Sequence, residues 1–116
     1  MRLFLLLVAA LTIHAQTAAP SKTEAPAGNA QNGKKLFESY GCYQCHDHDG
    51  HGGAGARIAP NPIPFARFSQ YVRRPSGEMP PYTVKVVSDP DLADIYAFLL
   101  TIPAPPPVKN IPQLNH

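Results

Sequence analysis

The sequence predicts a small all-α domain. Three segments carry apolar residues at helical spacing, and no segment alternates long enough to make a strand. Of the 116 residues, only residues 29–102 have the composition of a folded unit. A unit of about 74 residues makes a marginal core by itself. It therefore calls for a further source of buried apolar surface.

The chain begins with a short positive region, Met1-Arg2, followed by an apolar run from Leu3 to Ile13. This is the layout of a secretory signal peptide over residues 1–15, with cleavage after Ala15. The run is too short to span a bilayer comfortably, so an uncleaved N-terminal membrane anchor is the weaker alternative. No cysteine follows it to carry a lipid. The expected location is periplasmic. Cleavage would remove one of the ten basic residues and none of the eight acidic ones, leaving a net charge of +1. That balance argues against nucleic acid and against strong membrane binding, and it implies weak salt dependence of partner docking. Residues 16–28 are rich in Ala, Thr, Pro and Ser and read as a flexible lead-in.

The first helix is expected over residues 30–40, capped by Asn29, with Leu36, Phe37 and Tyr40 on its apolar face. Gly33 inside it costs about 1 kcal/mol relative to Ala. A close helix crossing, with the ring of Tyr96 or Phe98 across Gly33, is the expected reason. A first turn not yet fully helical is the plainer one. Gly41 stops the helix just before Cys42.

Residues 42–46 read Cys42-Tyr43-Gln44-Cys45-His46, and these are the only two cysteines. C-x-x-C-H is the attachment signature of a c-type haem. Thiols three positions apart lie on one face of a turn and add across the two vinyl groups of one porphyrin. The next residue then offers an imidazole nitrogen to the iron. A large apolar macrocycle also supplies the surface that the small core lacks. Three other readings are weaker. A redox C-x-x-C expects a βαβ pattern, which is not visible. Zinc on Cys42, Cys45, His48 and His51 would draw all its ligands from ten positions, whereas such pairs usually come from separated knuckles. A Cys42–Cys45 disulfide closes too small a loop to staple a domain.

Beyond the motif, His48 and His51 stand among Asp47, Asp49, Gly50, Gly52 and Gly53 and read as an exposed loop. A second helix is expected over residues 64–73, with Pro64 in its first turn, Phe65, Phe68, Tyr71 and Val72 on one face, and Pro75 ending it. A third is expected over residues 91–100, where Leu92, Ile95, Tyr96 and Leu99 form a stripe. Ser88 and Asp89 both suit its N-cap. Residues 103–116 hold five prolines and read as an extended tail ending in His116.

The order Gly33-x-x-Leu36-Phe37, Cys42-x-x-Cys45-His46, Gly77-x-Met79-Pro80-Pro81-Tyr82 and Asp91-Leu92-Ala93-Asp94-Ile95-Tyr96-Ala97-Phe98-Leu99 resembles the class I cytochromes c, and more narrowly small bacterial monohaem ones. The resemblance covers nearly the whole folded unit. It implies a small cytochrome c fold around one covalently bound haem c, with the first and third helices crossing beside it. Cys42 and Cys45 would form the thioethers, His46 would be the proximal iron ligand and Met79 the distal one. Met79 is the only methionine left after Met1, and Pro80-Pro81 lock the backbone beside it. The family also has a proline whose carbonyl accepts the proximal imidazole N–H, and Pro60 is the nearest in sequence. Arg57, Arg73 and Arg74 are candidates to meet the haem propionates.

The implied activity is single-electron transfer between redox partner proteins, such as a dehydrogenase, an oxidase or a respiratory complex. The protein is then no enzyme itself, though it suits a subunit of a larger oxidoreductase. The alternative is a haem-based enzyme or gas sensor with a labile distal ligand. That class needs distal acid–base groups, and none is identifiable.

Overall fold

Asn29 starts the first helix as its sequence requires. Its side chain accepts a hydrogen bond from Asn32 N–H, and α1 runs over Ala30–Ser39. The computed structural model describes residues 25–114. Three further α-helices follow: α2 (Tyr43–His46), α3 (Phe65–Arg73) and α4 (Asp89–Thr101). There is no strand among the described residues. The apolar run at residues 3–13 and His116 lie outside them. No described helix is long and apolar enough to cross a membrane.

α1 ends through glycine. Gly41 has φ 75°, a conformation that side chains disfavour. Its N–H bonds Glu38 O at 3.0 Å, and Cys42 N–H bonds Phe37 O at 3.0 Å. This paired pattern satisfies the last carbonyls of the helix and turns the chain sharply. It delivers Cys42 straight from the end of α1, so the motif is tied to the core by a backbone device.

α1 and α4 are the α-helices that pack along each other. Gly33 lies within α1, so the incomplete-turn reading fails. The crossing is close, but its partner is not an aromatic ring. A Cβ on Gly33 would strike the backbone of α4 at Asp94 and lie 2.9 Å from Ile95 N. Tyr96 instead meets Phe65 and Phe68 of α3, each at 5.2 Å between ring centroids, and Phe98 meets Phe37 at 5.6 Å. Asp94 fastens the crossing: its two carboxylate oxygens accept from Asn29 N–H at 2.6 Å and Asn32 Nδ2 at 2.8 Å. These bonds, that of Asn32 foremost, hold the Asp94 carboxyl below its usual range.

Phe37, Leu92, Leu99 and Val87 are the most fully enclosed large side chains. Ile95, Phe98, Phe68 and Val72 complete the core. The expected stripe on α4 is buried throughout, and Ala93 and Phe98 are buried with it. α4 begins two residues earlier than its apolar period suggests. Ser88 is the N-cap and accepts from Asp91 N–H at 3.2 Å, which settles the choice against Asp89. On α3, Tyr71 is exposed rather than part of the apolar face, and its hydroxyl donates to Ser76 O. Beyond Pro103 the tail is not purely extended. It makes two 3₁₀ turns, Val108–Asn110 and Pro112–Leu114. Proline at the start of such a turn gives up no bonded N–H, which is why this segment tolerates them.

Candidate haem-binding site

α2 is one turn long, with Cys42 at its N-cap and Asp47 at its C-cap in the left-handed region, φ 63°. His46 N–H bonds Cys42 O at 3.1 Å, so the turn brings Cys42, Cys45 and His46 together. Both cysteines are free thiols. Cys42 is half-buried and packs against the core, and burial pushes its thiol up to about 11. A neutral sulfur in an apolar wall suits a thioether better than a reactive thiolate. Cys45 is exposed.

The loop after α2 folds back onto it. Gly52 N–H bonds His46 O at 3.1 Å, and Gly55 N–H bonds Cys45 O at 2.7 Å. Gly55 lies so near that a Cβ there would be 3.1 Å from His46 Cε1. The same fold brings the Ala56 carbonyl to 2.7 Å from His46 Nδ1. A carbonyl only accepts, so Nδ1 carries the proton. Nε2 then bears the lone pair that a metal needs, with the ring orientation held from behind. The acceptor is therefore Ala56 and not Pro60. Every residue has a carbonyl, so only the path of the loop could reveal which one serves.

Met79 lies in the segment joining α3 to α4, half-buried against the same core as Cys42. Tyr82 follows three residues later, and sequence reasoning missed its role. Its hydroxyl donates to Tyr40 O at 3.1 Å, at the end of α1. Burial first, and the nearby Cys42 and Cys45 sulfurs second, raise its phenol above the usual value. Tyr82 thus ties the Met79 segment to the end of α1, two residues before Cys42.

Other expected residues fall elsewhere. Arg73 is no free partner for propionates, because it bonds Tyr82 O, Val87 O and Asp89. Arg57 and Arg74 are exposed. His48 is exposed as expected, stacked on Tyr43 at 4.6 Å. His51 is not: its Nε2 is enclosed and has no hydrogen-bond partner. Among the described residues no three of His, Cys, Asp and Glu gather as a metal site. Cys42, Cys45, His48 and His51 therefore do not form the zinc alternative. A surface cleft of about 510 Å³, lined by Pro26, Phe65, Ser69, Asp89 and Ala93 among others, includes none of the motif residues.

These residues fit a covalently held haem. Two free thiols and an imidazole with a fixed tautomer share one turn. A half-buried thioether packs on the same core.

The helical fold and the Cys42–His46 turn together define a class I c-type cytochrome. Residues 28–99 match the family described as cytochrome C oxidase, cbb3-type, subunit III, and the chain belongs to that family. Membership implies covalently bound haem c with iron and haem-based electron transfer. No curated protein and no solved structure matches the chain.

Proposed function

We propose that the protein is an exported monohaem electron carrier in which His46 and Met79 both ligate the iron. The observation that carries this reading is the His46 imidazole, held through Nδ1 by Ala56 O beside two free thiols. When bound, the haem supplies a one-electron couple. Cys42 and Cys45 keep it on the chain. His46 presents Nε2 from one side. Met79 offers a thioether, which favours reduced iron and raises the potential. Held by both His46 and Met79, the iron would be closed to peroxide, dioxygen and carbon monoxide, and the site would carry electrons without binding substrate.

The folded unit in this reading is residues 29–102, which the family match over residues 28–99 supports. Residues 1–15 act as the export signal, which places the protein in the periplasm. The family's description points to a respiratory oxidase of the cbb3 type as the electron-transfer partner. The chain would serve it as a subunit or as a carrier that docks.

The ferrous native protein is expected to bind carbon monoxide poorly, as judged by its absorption spectrum before and after saturation with the gas. Ready binding would move the protein to the gas-sensor or enzyme class.

A further inference from the structure

The segment that carries Met79 has little regular structure of its own, yet it is closed at its base. Val72 O accepts from Tyr82 N–H at 3.0 Å, so the chain between them forms a loop with Met79 inside it. Arg73 stands at the neck of that loop. Its Nη1 donates to Tyr82 O at 2.9 Å and to Val87 O at 2.7 Å, and its Nη2 donates to Asp89 Oδ1 at 2.7 Å. The Arg73 side chain is only 17% exposed. One guanidinium therefore gathers the end of α3, the returning limb of the loop and the first residue of α4.

We propose that Arg73 is a positioning residue for Met79: its guanidinium holds the neck of the loop shut and so sets how often the Met79 sulfur leaves the iron. The proposal rests on Met79 being the distal ligand. Hydrogen bonds from a charged, sheltered donor are the strong ones, and the planar fork serves several acceptors at fixed angles. A lysine at this position keeps the charge but not the fork. Pro80 and Pro81 stiffen the backbone beside Met79, so motion at the neck is transmitted to the sulfur with few joints to absorb it.

The test uses the haem-loaded protein and its variants Arg73→Gln, Arg73→Lys and Asn32→Ala. The last removes a bond at the α1–α4 crossing, away from the loop. Imidazole is titrated into the ferric protein, the sulfur-to-iron charge-transfer band is recorded, and unfolding by denaturant is measured alongside. An external ligand binds in proportion to the open fraction. Loss of the charged bonds should raise the apparent imidazole affinity of Arg73→Gln about tenfold and weaken the band. Arg73→Lys should fall between it and the wild type. Asn32→Ala should lower the unfolding midpoint without moving imidazole affinity. Asp89→Asn, which loosens the guanidinium from one side, reads the same effect more weakly if Arg73→Gln does not mature. Wild-type imidazole affinity in Arg73→Gln or Asp89→Asn would overturn the proposal, and so would an equal rise in Asn32→Ala. If the wild-type band persists in Met79→Ala, the ligand assignment itself has failed, and this proposal falls with it.

Discussion

Replacing Met79 with alanine is expected to abolish the sulfur-to-iron band of the ferric protein, lower its reduction potential and let carbon monoxide and imidazole bind readily. Alanine has no atom that can reach a metal. Met79 is the only methionine beyond Met1, so none within residues 2–116 can take its place. The loop is also held at its neck and beside two prolines, which keeps a neighbouring side chain from swinging in. Loss of a thioether removes the ligand that favours reduced iron, which sets the sign of the potential change. The fold should survive, because Met79 packs at the edge of the core and not within it. A titration with potential and spectrum measured together checks all three effects. If the variant keeps the band and stays closed to ligands, Met79 is not the distal ligand.

Gly33→Ala is expected to destabilise the protein, although helix propensity says the opposite. In an open helix this change would stabilise by about 1 kcal/mol. Here the added Cβ would meet the backbone of Asp94 and Ile95, which cannot rotate away as a flexible side chain can. α1 and α4 would have to separate, loosening the Asn29 and Asn32 bonds to Asp94. Overpacking of this kind costs about 1–3 kcal/mol, and a rigid partner puts it at the upper end. That is a large share of the roughly 5–15 kcal/mol a small domain has. Denaturant unfolding of the haem-loaded variant decides the sign. A neutral or stabilising result would mean that the helices do not cross at Gly33.

Much of the fold was legible because its signals are local. Asn29, the glycine at Gly41, Pro75 and the α4 stripe each act within a few residues, and the helices fall within two residues of where those signals put them. The Cys42–His46 spacing was legible for the same reason. What escaped depends on distant parts meeting. Apolar period marks a face but not what lies opposite it, so it does not tell the backbone partner of Gly33 from an aromatic ring. Ala56 supplies only a carbonyl, which has no sequence signature. Sequence alone does not separate Arg73 from Arg57 and Arg74; its bonds to Tyr82 O, Val87 O and Asp89 depend on how the chain returns after α3. The glycine and aspartate neighbours of His51 predict exposure, yet its Nε2 is enclosed. The turns of the tail were hidden because proline excludes a helix interior but tolerates a first turn.

The covalent link is the feature on which the rest depends. Without it, the free thiols, the fixed imidazole and the small core have no common purpose. The most direct measurement is acid–acetone extraction of the protein purified from its native source, followed by the mass and visible absorption of the precipitated chain. Thioethers at Cys42 and Cys45 predict that the haem stays with the chain and adds the mass of one haem. Haem that passes into the acetone, or a chain that carries zinc in its place, would contradict the account.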